Sequence, residues 1–221
     1  MLPDFISYPD LVPYPKAMAQ MEDTAARVAA GAAPDQVWFL EHPPTYTAGT
    51  SAKPAGLVMA GDIPVYETGR GGEHTYHGPG QLVIYPILTL AHYYPSLDLR
   101  RYVFDLEEWI ILGLATLGVK GERRSGRVGI WVVDTGGHEV KIAALGIRVR
   151  RGVAMHGASI NLDPDLAAYN GIIPCGIHEF GVTSLVALGV RVTRAQLEEA
   201  LKSQFSVVFR PTRPNFLETA P

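Results

Sequence analysis

A chain of 221 residues with 47% apolar and 19% charged side chains has ordinary globular composition, which excludes a disordered or fibrous protein. Nineteen basic against twenty-two acidic residues leave a net charge of −3, so whole-molecule charge points to no nucleic-acid partner. The longest nearly unbroken apolar stretch, residues 109–119, is eleven residues against the ~20 of a membrane helix, no basic leader opens the sequence, and one cysteine forbids an intrachain disulfide, so a soluble, cytoplasmic chain with no membrane segment is expected.

No internal repeat is present, and the 23 glycines and 17 prolines are spread as turn punctuation with no linker-like block. One domain over residues 1–221 is therefore expected. The spacing of Met18, Met21, Ala25, Val28 and Ala29 predicts a helix over residues 15–30. Val37-Trp38-Phe39-Leu40 is a short buried strand, and strands are also expected over 63–66 and 82–85. Residues 97–117 form the longest predicted helix, with Tyr102, Leu106, Trp109, Ile110 and Gly113 inward. Three consecutive strands follow over 128–133, 140–149 and 153–162, the first two joined through Asp134-Thr135-Gly136-Gly137 as a hairpin. Thr193-Arg194-Ala195-Gln196 fits a capping box opening a last helix, whose buried stripe is Leu197, Ala200, Leu201 and Phe205. Strands clustered mid-chain with helices fore and aft give an α+β fold with a mixed sheet.

The segment Gly69-Arg70-Gly71-Gly72-Glu73-His74-Thr75-Tyr76-His77-Gly78-Pro79-Gly80-Gln81 holds five glycines in thirteen residues. Glycine lets backbone approach a ligand closely, and the arginine, histidines and threonine offer groups for a carbonyl or carboxylate. A strand and not a helix follows the last glycine, so neither phosphate-loop nor dinucleotide patterns fit. On composition it is an ordinary glycine-rich loop first and a ligand site second.

The run R-G-G-x-x-T-Y-H-G-P-G-Q nevertheless resembles the signature of the lipoyl(octanoyl) transferases. Two further blocks are similar to that family in the same order: Lys141-Ile142-Ala143-Ala144-Leu145-Gly146-Ile147-Arg148 followed by His156-Gly157 and Asn161-Leu162, and then Ile173-Pro174-Cys175-Gly176. The similarity spans about residues 41–185. It implies a mixed sheet flanked by helices of the biotin/lipoate protein ligase (class II synthetase-like) type. It also implies transfer of an octanoyl group from acyl carrier protein to a lipoyl-domain lysine, on a 2-oxo acid dehydrogenase complex or the glycine-cleavage H protein. No cofactor and no metal are implied. The resemblance makes Cys175 the acyl-thioester residue and Lys141 the residue that lowers its pKa. It places the acyl group among Arg70, Gly71, Gly72, Glu73, His74, Thr75, Tyr76 and His77, with Ala144, Leu145 and Gly146, and Gly157, Ala158 and Ser159.

Chemistry bears on these roles independently. A lone cysteine is ordinarily packing, but Pro174 and Gly176 set this one in a stiff turn with open backbone. Lowering a thiol pKa by about two units raises the thiolate fraction about 25-fold and costs about 8-fold in nucleophilicity. A lysine partner therefore matters chiefly as a proton carrier, with His77 a lesser candidate base. Strand alternation alone leaves open whether Lys141 faces inward. Residues 120–151 carry eight basic against three acidic side chains, which fits either a solvated face or a dock for an acidic donor. The competing functions are an ATP-dependent lipoate or biotin ligase, a cysteine hydrolase using His156 or His178, and a non-catalytic acyl-carrier binder. His74-x-x-His77 is a weak metal signal.

Overall fold

The computed structural model describes residues 2–172 and 180–211. Its frame is an eight-stranded mixed sheet whose order is β1 (Asp4–Leu11), β2 (Gln36–Glu41), β6 (Gln81–Thr89), β10 (Val153–Asn161), β9 (Glu139–Arg150), β8 (Arg127–Val133) and β7 (Glu122–Arg124). The two-residue strand β11 (Gly181–Val182) lies parallel to β9 beyond the end of β10. A second sheet sets β3 (Thr45–Ala48) between β4 (Val65–Glu67) and β5 (His74–His77).

Strand alternation sorts the large sheet's side chains to two helical layers. Val37, Phe39, Leu82, Ile84 and Leu88 pack with α2 (Leu99–Thr116) and α3 (Arg194–Val208). Trp38, Leu40, Val83, Tyr85 and Ile87 pack on the other face with Met21, Ala25 and Val28 of α1 (Tyr14–Ala29). Trp109 Nε1–H donates to the Leu201 carbonyl at 2.7 Å and ties α2 to α3. Gly113 permits that crossing, since a Cβ there would lie 2.8 Å from Leu201 Cδ2.

The predicted helices form with ends shifted by a residue or two, and the capping box at Thr193 and Gln196 is present in both directions. The hairpin of β8 and β9 pairs Trp131 with Lys141 and Val132 with Val140. Two expectations need correction. Residues 4–11, for which no element is expected, form a strand at the sheet edge, where Pro9 needs no ladder partner. The strand expected over 63–66 runs instead from Val65 to Glu67, at the edge of the small sheet. The glycine-rich segment is not wholly loop: His74–His77 is a strand, because Thr75 and the ring side chains around it suit an extended backbone paired with β3.

One interruption in the ladder shapes the site. Ala154 pairs with Leu88 and Ala158 with Ile84, but β10 makes no pair with β6 between them. Pro86 lies in that gap and brings no amide hydrogen. Opposite it, His156 takes a left-handed φ of 58° and donates its amide to Met21 Sδ at 3.2 Å. Gly157 then returns close to β6, and a Cβ on it would meet the Ile84 carbonyl and Pro86 Cδ at 2.4 Å.

Candidate active site

A cleft of about 280 Å³ opens beside this gap on the α1 face of the large sheet. Its size sits just below the roughly 300–1,000 Å³ of ligand sites. Arg70, Gly72, Glu73, His74, Thr75 and His77 line one side, from β5 and its approach. Ala144, Leu145 and Gly146 of β9 and Gly157, Ala158 and Ser159 of β10 line the other. Ser159 pairs with Ala144 across the ladder, which puts both side chains on one face. Tyr76 points elsewhere, its ring 5.7 Å from Tyr46 and 5.6 Å from Tyr169 in the small sheet's core. Gly71 acts through its backbone, its amide donating to the Ile147 carbonyl at 2.9 Å.

Arg70 braces this wall. Its Nη2 donates to the Thr47 carbonyl at 2.9 Å and to Thr47 Oγ1 at 2.7 Å, and Nη1 donates to the Gly71 carbonyl at 3.0 Å. The glycines beside it leave room for that fork: a Cβ on Gly49 would sit 2.6 Å from Arg70 Nη1, and one on Gly146 would sit 2.8 Å from the Gly71 carbonyl. Sequence reasoning also missed part of the lining, Tyr14, Val83, Tyr85 and Val128, and gave His156 no place in the acyl site. His156 stood inside a recognised block, and its left-handed backbone before Gly157 carried no local sequence signal.

Beneath the cleft lies a set of neutral histidines. His42 Nδ1–H donates to the Val12 carbonyl at 2.6 Å, and its Nε2 accepts from the Tyr85 hydroxyl at 2.7 Å. His77 Nδ1–H donates to Gln81 Oε1 at 2.7 Å, which leaves its Nε2 as the unprotonated nitrogen. Burial is the main cause holding His77 down to about 3, with the neighbouring His42 adding to it. Burial likewise holds His42 and His156 at about 4, the Arg70 and Arg148 charges contributing at His156. Tyr14, which stacks near His77, is pushed up to about 12 by burial.

Lys141 faces inward and is only 5% exposed. Its Nζ donates to the Val128 carbonyl at 3.0 Å and lies 4.7 Å from the Trp131 ring centroid. Gly129 leaves space for it, since a Cβ there would meet Lys141 Nζ at 3.2 Å. Val128 lines the cleft, so the amine stands directly behind the cleft wall. Cys175 lies outside the described residues, in the stretch between Ile172 and Phe180. Val182, seven residues after it, pairs with Lys141, and the Phe180 ring packs on Trp131 at 5.4 Å.

The basic run of 120–151 is largely neutralised within the chain. Arg123 pairs with Glu107 and Glu108, Arg124 with Glu122 and Glu139, and Arg127 with Glu139. Arg148 lies 3.7 Å from Glu22. Arg150 and Arg151, at the β9–β10 turn, are exposed and form no ion pair among the described residues. Among those residues, no group of three His, Cys, Asp or Glu side chains is arranged to hold a metal, and no helix is long and apolar enough to cross a membrane.

Comparison with known proteins places this geometry. The family model of the lipoyl protein ligase A/B catalytic domain matches residues 13–206. An octanoyltransferase of Paramagnetospirillum magneticum is 57% identical over 198 residues, covering 90% of this chain and 92% of that one. A putative lipoate protein ligase of T. acidophilum, solved with bound lipoic acid, superimposes with a TM-score of 0.72 at 16% identity, covering 94% of this chain and 86% of its own. A bipartite lipoate protein ligase of Thermoplasma acidophilum, studied with its E2 lipoyl domain, gives 0.69 at 18% identity, covering 96% and 87%.

Proposed function

The chain belongs to the octanoyltransferase family and transfers octanoyl groups in protein lipoylation, and on that premise we propose that the transfer runs through a thioester on Cys175 with Lys141 carrying the proton. The observation that carries this reading is the placement of Lys141, buried behind the cleft wall on the strand that pairs with the residues following Cys175.

In acylation the Cys175 sulfur attacks the octanoyl thioester carbonyl. The carbon–sulfur bond to the donor breaks, and Lys141 takes the Cys175 proton and hands it to the departing donor thiolate. In deacylation the lysine amine of the acceptor attacks the Cys175 thioester. An amide forms, the bond to Cys175 breaks, and the proton lost by the amine returns through Lys141 to the Cys175 thiolate. The first half exchanges one thioester for another and the second turns a thioester into the more stable amide, so neither half draws on a nucleotide for energy.

The octanoyl chain lies in the cleft against Val83 and Ala144, between the walls made by Arg70 to His77 and by Gly157 to Ser159. Burying its six methylenes contributes on the order of 5 kcal/mol, enough to hold it without a charged contact. His77, neutral with a free Nε2 lone pair, is an acceptor in that wall. The donor is the acidic acyl carrier protein, docking at the exposed Arg150 and Arg151. The acceptor is a lipoyl domain of a 2-oxo acid dehydrogenase complex or the glycine-cleavage H protein. The chain acts as one catalytic unit in the cytoplasm, where these partners are made.

The test is the intact mass of wild type and Cys175→Ser after incubation with octanoyl-acyl carrier protein in the absence of ATP. A hydroxylamine-labile octanoyl adduct on wild type alone, discharged when a lipoyl domain becomes acylated, is expected. Transfer by Cys175→Ser at the wild-type rate overturns the thioester route.

A further inference from the structure

We infer that Gln81 and Asn161 are positioning residues for the transfer, holding both flanks of the Cys175 segment in fixed register with Lys141. This rests on the proposed thioester at Cys175 and names two residues that do not line the cleft.

The two residues stand directly opposite each other at the end of the β6–β10 ladder. Gln81 is fully buried and Asn161 nearly so. Gln81 Nε2 donates to Asn161 Oδ1 at 2.9 Å and to the Tyr169 hydroxyl at 2.8 Å, and that hydroxyl donates on to Asn161 Oδ1 at 3.1 Å. Tyr169 belongs to the 3-10 turn Leu166–Gly171 and accepts at its carbonyl from the Ile172 amide at 3.2 Å. The near flank of the Cys175 segment is thereby fixed to the sheet.

The far flank is held by the same asparagine. Asn161 Nδ2 donates to the Thr183 carbonyl at 2.9 Å, and the Asn161 carbonyl accepts the Leu185 amide at 3.0 Å. Thr183 in turn donates its amide to the Lys141 carbonyl at 2.9 Å. One side chain therefore joins the chain before Cys175, the chain after it and the strand of Lys141. At its other end the network reaches the cleft, through Gln81 Oε1 and His77 Nδ1.

Apolar packing would stabilise this junction equally well, but it tolerates sliding. Directional bonds between buried groups fix one arrangement, because every alternative leaves a polar atom without a partner. A sulfur that must meet both a thioester carbon and an amine needs that definition, since a displacement of about 1 Å costs about 100-fold in rate.

The experiment uses rapid-quench mass spectrometry of Cys175 acylation by octanoyl-acyl carrier protein, with steady-state turnover, on wild type, Asn161→Ala and Tyr169→Phe. The amplitude counts folded, competent molecules, and the rate reports how well each is arranged. Asn161→Ala is expected to slow acylation about 100-fold at retained amplitude, with KM for the donor within threefold of wild type. Tyr169→Phe keeps the ring against Tyr76 and removes only the hydroxyl, and is expected to slow acylation about 10-fold. It decides the matter if Asn161→Ala does not fold. Wild-type acylation rates with reduced amplitude would show a purely structural role and overturn the inference. Absence of any adduct on wild type would instead remove the thioester reading, so the two failures are distinguishable.

Discussion

Ala144→Val tests where the acyl chain lies. Ala144 lines the cleft and pairs with Ser159, so its side chain shares a face with the proposed chain site. Valine adds two carbons to a cleft of about 280 Å³ and takes the room of about two methylenes. At ~0.8 kcal/mol per buried methylene, the octanoyl transition state loses about 1.6 kcal/mol, which is about 15-fold in kcat/KM. A hexanoyl chain, two methylenes shorter, should lose less than twofold. The assay is competition between octanoyl- and hexanoyl-acyl carrier protein, with the two acylated lipoyl-domain products separated by mass. A β-branched residue suits strand β9, so melting should move by no more than a few degrees. An unchanged octanoyl-to-hexanoyl ratio would show that the chain lies elsewhere. An equal fall for both would show that Ala144 borders the reacting end and not the tail.

Lys141→Met preserves the length of the buried side chain but removes the proton carrier; turnover at neutral pH should fall by at least 100-fold with a retained cooperative melt, checked by steady-state assay and calorimetry. Because His42, His77 and His156 have folded-state values of about 4, 3 and 4 against about 6.5 unfolded, the unfolded chain binds protons first. Their contribution is whole above pH 6.5 and is lost as pH falls toward 4, at up to ~1.4 kcal/mol per pH unit per histidine, so thermal melts from pH 7 to 4.5 should show a steepening loss that His77→Gln reduces. Reversing Arg150 and Arg151 to Glu should raise the apparent KM for the acyl-carrier donor several-fold at low salt, with the difference shrinking as ionic strength rises; an unchanged KM removes that docking face.

Periodicity was sufficient for the helices and the central hairpins, because their apolar stripes repeat over many residues and α3 carries a complete capping box. It failed where a strand is short or lies at an edge. Asp4–Leu11 contains a proline that an edge strand tolerates, and His74–His77 is too brief to show alternation amid glycines. For the site, two of the three sequence blocks named residues that line one cleft, with Gly71 and Tyr76 behind the wall, while the Cys175 block lies outside the described residues. The contributions of Tyr14, Val83, Tyr85 and Val128 were illegible because they come from three separate elements, α1, β6 and β8, and carry no local signal. The pairing of the basic run was equally hidden, since Arg123 finds Glu107 and Glu108 across the fold, on α2.

The gap between β6 and β10 joins the evolutionary fates of two distant positions. A residue other than proline at position 86 would return an amide hydrogen to a place where β10 provides no ladder partner. A side chain at position 157 would drive a methyl group to 2.4 Å from the Ile84 carbonyl and Pro86 Cδ. Replacing Pro86 would leave the Ile84 carbonyl still opposing any side chain at 157, so an uninterrupted sheet also requires the backbone at His156 and Gly157 to move. Each single substitution is therefore a losing step, and lineages that keep the gap should keep both residues.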